Sequence, residues 1–575
     1  MMRQIAPPSF AELFTPKLVT VLRDSYGVAA FRADLIAGMT VAIVAIPLSM
    51  AIAIASGVSP AQGLFTSIVG GLIVSMFGGS RFQIGGPAGA FIVLVSTTVS
   101  QHGFNGLAVA TMLSGLMLLS IGLLRLGTYI KYIPYPVTVG FTAGIGAIIF
   151  TGQIKELLGL TLNGREPGPV IPKLGALFQA LPTFNPSALA VALLAIGVIL
   201  VFRHYRPSWP NFLIAVCVTS VLAAALHLPV ATIGSRFGAM PSALPAPHLP
   251  HFTVETVFAA LPDAFAFTLL GGIESLLSAV VADSMTGRRH RSNCELVAQG
   301  LANIASPLFG GICVTGTIAR TATNVRAGAH GPVAGMAHAL FLLILLMVAA
   351  PLAAFIPLAA LAGVLTIVCW GMAERHAFVI LMRTSRGDAV VLLTTFLLTI
   401  FRDLTTGIVG GFSIGALIFL RRMSNQVGVE QITPLVREDA ADHDTARERD
   451  DAGLTAGDDI IIYRISGAFF FGTAAAITAV LDRIAVRPKA YVIDFSEVAL
   501  LDSTAAAEIE RFATQSERRG TALVFTGAQT SVRRALLAHD LRPPRVRFRN
   551  TIADGVIAAR EAITGQINDE EQHQA

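Results

Sequence analysis

The sequence predicts a polytopic α-helical membrane protein of about fourteen spans, followed by a small α/β domain. Three observations predict it. Of 575 residues, 54% are hydrophobic and 13% charged, with a mean hydropathy of +0.68; a soluble chain carries roughly a quarter charged residues. The deficit is confined to residues 34–422, where long apolar stretches alternate with short polar breaks. Beyond residue 431 the composition is that of a soluble domain, with strand and helix patterns in alternation.

The elements follow in order. Residues 1–33 hold charges and prolines but no basic start, apolar core and small-residue cleavage site, so no removable signal is expected. Apolar spans are expected at 34–56, 60–78, 104–126, 134–152, 186–203, 210–227, 263–283, 328–350, 351–370, 386–401 and 403–420. Less uniform segments at 84–101, 294–309 and 314–326 complete fourteen. With the N-terminus in the cytoplasm, fourteen Lys and Arg residues of the connecting segments, from Arg81 to Arg422, fall inside. Five fall outside: Lys155, Arg165, Lys173, Arg236 and Arg402. This asymmetry fits a multi-pass protein of the cytoplasmic (inner) membrane with both termini cytoplasmic. The outer segments 153–185 and 228–262, rich in Pro and Gly, read as loops.

A polar linker is expected at 423–457, then a soluble domain at 458–565 and a polar tail at 566–575. Strands are predicted at 460–465, 491–495 and 522–525, and helices at 472–485, 503–518 and 529–538.

Two stretches interrupt the apolar region. One is Gln83-Ile84-Gly85-Gly86-Pro87-Ala88-Gly89-Ala90; the other runs from Thr315-Gly316-Thr317-Ile318 through Arg320 to Asn324. Gly and Pro suit an extended approach followed by a helix start, and such backbone is tolerated at membrane depth only where protein or a cavity satisfies it. A helix start carries roughly half a positive charge, so two facing starts, with Arg320 beside them, suit a small anion. Arg320 has a structural alternative as partner of Glu274, and the glycines of 85–90 as close helix packing. Glu274 lies within an apolar span, where an acid costs about 2.5–3.5 kcal/mol. A carboxyl in that position suits a proton carrier, with Ser278 one turn later on the same face. Asp263 and Asp283 bracket this span as interfacial residues.

Other classes are disfavoured. The formal charge of +5 comes without aromatic interleaving, so nucleic acid is not expected. GxxxxGK[ST] is missing from the sequence, against ATP-driven transport. Cys217, Cys294, Cys313 and Cys369 have neither metal nor disulfide spacing and read as small core residues. No catalytic constellation, metal or cofactor is indicated, and His248, His251 and His290 read as solvated.

The stretch IESLLSAVVADSMTGRRHRSNCELVAQGLANIASPLFGGICVTGTIARTATNVRAG at 273–328 resembles the SulP family of sulfate-permease-type anion transporters. QIGGPAGA at 83–90 and the 134–159 segment add to the likeness, which covers nearly the whole chain. The resemblance implies two inverted repeats of seven spans, a core and a gate domain, elevator-like alternating access, a cytoplasmic STAS domain and a homodimer. It places substrate among Gly86, Pro87, Ala88, Gly89, Ala90, Gly316, Thr317, Ile318 and Arg320, with Glu274 and Ser278 as coupling residues.

The pattern departs from sodium-coupled bicarbonate members, which resemble Asp-Ser-Leu-Leu-Thr where this chain has Glu274 to Ser278, and which have a Thr in place of Ile318. Sulfate moved with protons is therefore expected, with C4-dicarboxylate or bicarbonate as alternatives, and sodium disfavoured. The soluble domain resembles STAS modules over Val492 to Ser496 and Leu501 to Thr504. There Ser503 matches the phosphoacceptor of signalling relatives, against a plain helix-capping role for Asp502 and Ser503. A STAS partner protein, or a membrane-anchored signalling role for the whole chain, is the reading from another class.

Overall fold

The computed structural model describes residues 10–24, 26–127, 134–162, 164, 167–206, 209–424, 428–431, 459–470 and 488–574. The chain forms two units, Met1–Ser413 and Ile414–Ala575.

In the first unit the principal helices are α1 Val28–Ala55, α2 Pro60–Phe77, α3 Gly89–Leu123, α4 Tyr135–Leu158, α5 Pro186–Tyr205, α6 Asn211–Ala225 and α7 Val254–Thr286. They continue with α8 Ser292–Leu308, α9 Ile318–Arg326, α10 Val333–Ala353, α11 Leu358–Met372 and α12 Arg386–Phe401, and α13 Leu404–Ser424 runs across the boundary into the second unit. Each of the fourteen expected segments is helical in whole or in part, because α3 holds two of them, broken where Gly103 takes φ +68°. Among the described residues nine helices are long and apolar enough to cross a membrane. Helix α9 has nine residues, so it extends only about 14 Å against a hydrocarbon core of about 30 Å. Extended chain supplies the rest of that segment.

The helices pack in two groups. In one, α10 lies on α1, α7 and α8 on α3, α2 on α1 and α8, and α9 on α7 and α1. In the other, α11 and α12 lie on α4, α5 on α11, and α6 on α5. Helix α1 meets the second group through α6 and α11. Backbones approach where side chains vanish: a Cβ on Gly115 would lie 2.7 Å from the Gly300 carbonyl oxygen, and one on Gly300 2.6 Å from that of Gly115. Glycine is required on both sides of that crossing.

The N-terminal segment is pinned to the same unit. Asp34 is fully buried, and its carboxylate accepts from the Tyr26 hydroxyl at 2.5 Å and the Gly331 amide at 3.1 Å, as well as from the His330 amide. Burial, and then the bond to Asp34, push the Tyr26 hydroxyl pKa up.

The outer segments are more ordered than expected. Helix α4 runs on to Leu158, Val170–Gln179 is an amphipathic helix, and α7 begins at Val254. Alternation of Pro and Gly with apolar residues concealed them. Cys217 is exposed whereas the other three cysteines are buried, so the core reading fails for Cys217 alone, on a helix facing outwards.

The second unit carries a five-stranded sheet in the order β3 Gly428–Gln431, β4 Ile460–Phe469, β5 Ala490–Leu501, β6 Ala522–Thr526 and β7 Arg547–Arg549. Strands β4 to β7 are parallel and β3 is an antiparallel edge. Helices α14 Ser503–Arg518, α15 Thr530–Ala538 and α16 Ile552–Gln574 follow. The predicted helix 472–485 lies outside the described residues. Strand β3 falls inside the segment read as linker, which is too polar to show a period of two, and the tail after residue 565 continues α16. Asp494, 2% exposed, accepts from Arg464, Ser496 and Thr526 and ties β4, β5 and β6 together.

Candidate functional site

Two extra strands lie within the first unit: β1′ Gly85–Gly86 and β2′ Thr315–Gly316, paired antiparallel with Gly85 opposite Gly316 and Gly86 opposite Thr315. Each leads into a helix start, at Gly89 for α3 and Ile318 for α9. The two interruptions seen in the sequence are therefore joined, running in opposite senses.

The extended backbone is satisfied by polar side chains from neighbouring helices. Asn303 of α8 bonds both the amide and the carbonyl of Val314, at 2.9 and 2.8 Å. Ser306 donates to the Ile312 carbonyl, and Thr66 of α2 accepts the Ile312 amide. Ser275 of α7 accepts the Gly316 amide at 3.0 Å. Thr321 accepts the Ile84 amide, and Asn324 donates to the Phe82 carbonyl. Unpaired backbone in an apolar medium costs several kcal/mol per group, so these side chains make a broken helix tenable.

Arg320 projects from the first turn of α9 and is 1% exposed. Its Nη1 and Nη2 donate to the hydroxyls of Ser67 and Ser49, both at 2.9 Å. Those serines lie 2.9 Å from each other, and each hydroxyl also reaches a carbonyl of its own helix, Gly63 and Ala45 respectively. Arg320 forms no ion pair with Glu274 or with any other carboxylate among the described residues. Gly86 stands against Nη1. Arg320 is thus a buried guanidinium held by hydroxyls alone among the described residues, in the first turn of α9 and against the strand that leads to α3.

The remaining predicted residues are placed as follows. Gly86, Pro87, Ala88 and Ala90 are buried, and Gly89 is half-buried. A Cβ on Gly89 would lie 3.4 Å from Met372 Sδ of α11 and 3.8 Å from Ile149 Cδ1 of α4, so this helix start faces the second group. Thr317 bonds back to Ile84 through both its amide and its hydroxyl. Ile318 is half-buried. Glu274 is 7% exposed and makes no hydrogen bond or ion pair among the described residues; its chain neighbour Ser275 is the residue that holds Gly316. Ser278 is fully buried, and its hydroxyl donates to Thr321 at 3.0 Å.

Sequence reasoning missed Ser49, Ser67, Ser275 and Asn303. Their only signal was a small polar residue inside an apolar span. His290 departs from its expected solvated state: its ring bridges Asp283 at 2.6 Å and Ser292 at 3.0 Å, with 10% of the side chain exposed. His248 and His251 are exposed. Ser503 is exposed at the first position of α14, where Asp502 caps the helix by accepting the Ala505 amide at 2.8 Å.

Comparison with known proteins places this geometry among relatives. A family model described as "Sulfate permease family" matches residues 31–395, and one described as "STAS domain" matches 454–555. The chain is 38% identical to "Putative sulfate transporter YvdB" of Bacillus subtilis (strain 168), over 89% of this chain and 94% of YvdB. It is 32% identical to "Bicarbonate transporter BicA" of a Synechocystis strain, over 88% of this chain and 90% of that protein. Among solved structures, the transmembrane domain of a cyanobacterial BicA superimposes with a TM-score of 0.60 at 32% identity, covering 66% of this chain and 98% of that one. Murine Slc26a9 in its inward-facing state shares the fold, with a TM-score of 0.83 at 17% identity over 98% of this chain and 96% of that one.

Proposed function

The chain belongs to the sulfate permease family of anion transporters, and we propose that its substrate is sulfate, taken up with protons across the cytoplasmic membrane. The observation that carries the reading is Arg320, sealed by Ser49 and Ser67 beside two helix starts held by β1′ and β2′. Arg320 Nε is buried with no hydrogen-bond partner among the described residues, and a helix start presents backbone N–H groups that its own turn does not use. These groups are donors, which suits an oxyanion with no proton of its own. Bicarbonate brings a donor that wants an acceptor. It stands as the second reading because of the relatives named bicarbonate transporters, with C4-dicarboxylates behind it.

Glu274 is the proposed proton carrier. It is buried with no ion-pair partner among the described residues, and a charge in that position is costly until water or substrate compensates it. Sodium is disfavoured because Ile318 offers no oxygen and the Ser278 hydroxyl is committed to Thr321. Access changes by an elevator-like displacement of the α1–α3 and α7–α10 group against the α4–α6 and α11–α13 group. The proposed substrate-contacting residues are Gly86 to Ala90, Gly316 to Ile318 and Arg320.

The chain works as a homodimer with both termini in the cytoplasm, and Ser503 is exposed to a kinase or partner protein. Uptake of labelled sulfate, bicarbonate, succinate and chloride into proteoliposomes, under separate pH and sodium gradients, tests the proposal. Sulfate accumulation driven by an inward proton gradient is expected. Sodium dependence without response to pH rejects it.

A further inference from the structure

His338 on α10 is fully buried, and neither ring nitrogen has a hydrogen-bond partner among the described residues. Nothing in the site described above uses it. Its ring occupies space left by a glycine: a Cβ on Gly71 would lie 3.7 Å from His338 Nδ1 and 3.0 Å from the Gly85 carbonyl oxygen. The imidazole is therefore next to β1′, on the strand whose following residue, Gly86, abuts Arg320. The surroundings are polar. Ser75 of α2, the Gln83 amide and Nε of Arg320 are also buried and without partners. Four polar side chains left open around one two-residue strand are not a packing core, since buried polar groups are otherwise satisfied.

We propose that His338 is a proton-binding group of the core, whose positive charge behind β1′ allows the Arg320 site to hold a divalent anion. The inference rests on the sulfate reading above. A dianion against one guanidinium leaves a net negative charge in a medium where charges interact strongly. A monoanion is already neutralised by Arg320. A proton on His338 supplies the second positive charge within the same block of helices, so proton and dianion travel together.

Other charges around the ring are few. Of the elements packed against α10, α1 carries Arg32 and Asp34, and Asp34 is held by Tyr26, His330 and Gly331. Helix α2, also packed against α10, carries no ionisable side chain; beyond these, β1′ carries none and α9 carries Arg320 and Arg326.

The test is equilibrium binding of sulfate and of nitrate to the full-length protein in lipid nanodiscs, for wild type, His338→Asn and His338→Gln. On acidification from about pH 7.5 to about pH 5.5, wild-type affinity for sulfate rises by about tenfold or more, and that for nitrate by less than about twofold. Both variants, unfolding at the wild-type temperature, lose the sulfate response and keep nitrate affinity. Folded variants that retain the wild-type sulfate response overturn the role of His338. A wild type that binds sulfate at neither pH overturns the sulfate reading itself.

Discussion

Gly86 and Arg320 are in direct contact: a methyl group at Gly86 would overlap Nη1 of the guanidinium. The overlapping atom is the far end of a flexible side chain, so the fold survives Gly86→Ala while the guanidinium shifts off Ser67. Apparent affinity for the transported anion is expected to fall on the order of tenfold, about 1.4 kcal/mol. Concentration dependence of initial uptake measures it.

Arg320→Lys keeps the charge and loses the fork. A single ammonium cannot hold Ser49 and Ser67 in the manner of two guanidinium nitrogens. Anion binding is expected to weaken on the order of a hundredfold, with the unfolding temperature little changed. Wild-type affinity in this variant contradicts the assignment of Arg320 to the anion.

Glu274→Gln removes the exchangeable proton from a span with no other acid between Asp263 and Asp283. Uptake driven by an acidic exterior is expected to drop about tenfold or more, whereas counterflow of labelled against unlabelled anion continues. The sign follows from the role: wild-type accumulation grows as the outside is acidified, and the variant loses the part of that growth that Glu274 supplies, keeping only the rise in sulfate affinity linked to His338. Full concentrative uptake by Glu274→Gln removes Glu274 from coupling.

Gly300→Leu places a side chain into the α3–α8 crossing, where the Gly115 carbonyl is 2.6 Å from the first added carbon. Overpacking of this kind costs about 1–3 kcal/mol or more. A lowered unfolding temperature and reduced membrane yield are the expected readouts, and a variant as stable as wild type refutes the closeness of that crossing.

In the second unit, Asp494→Ala leaves Ser496 and Thr526 without their shared acceptor. A loss of about 1–3 kcal/mol is expected, seen as faster amide exchange across β4 to β6. Transport by the first unit is read in the same sample.

Much of this was legible in the sequence, for reasons that differ by element. Long apolar helices such as α1 and α10 announce themselves, because the membrane demands continuous hydrophobic length. The two interruptions were legible through Gly, Pro and an isolated Arg320. Their pairing was not, since a two-residue ladder of mostly glycine has no side-chain pattern. Nor were the serines that receive Arg320, because Ser49 and Ser67 lie in different helices and meet only after packing. The alternative pairing of Arg320 with Glu274 looked reasonable on charge alone, and the structure gives the guanidinium other partners. Strand β3 was hidden for the opposite reason: an edge strand in a polar stretch has no buried face to set a period.

The short ribbon formed by Gly85, Gly86, Thr315 and Gly316 has a kinematic consequence. Both walls of the proposed anion seat are fastened to each other, and Thr317 is laced to Ile84 as well. Opening the pocket by prying those walls apart would sever every one of these links within hydrocarbon. In the elevator-like motion proposed above, the whole seat instead slides past Met372 and Ile149, the apolar side chains nearest the helix start at Gly89.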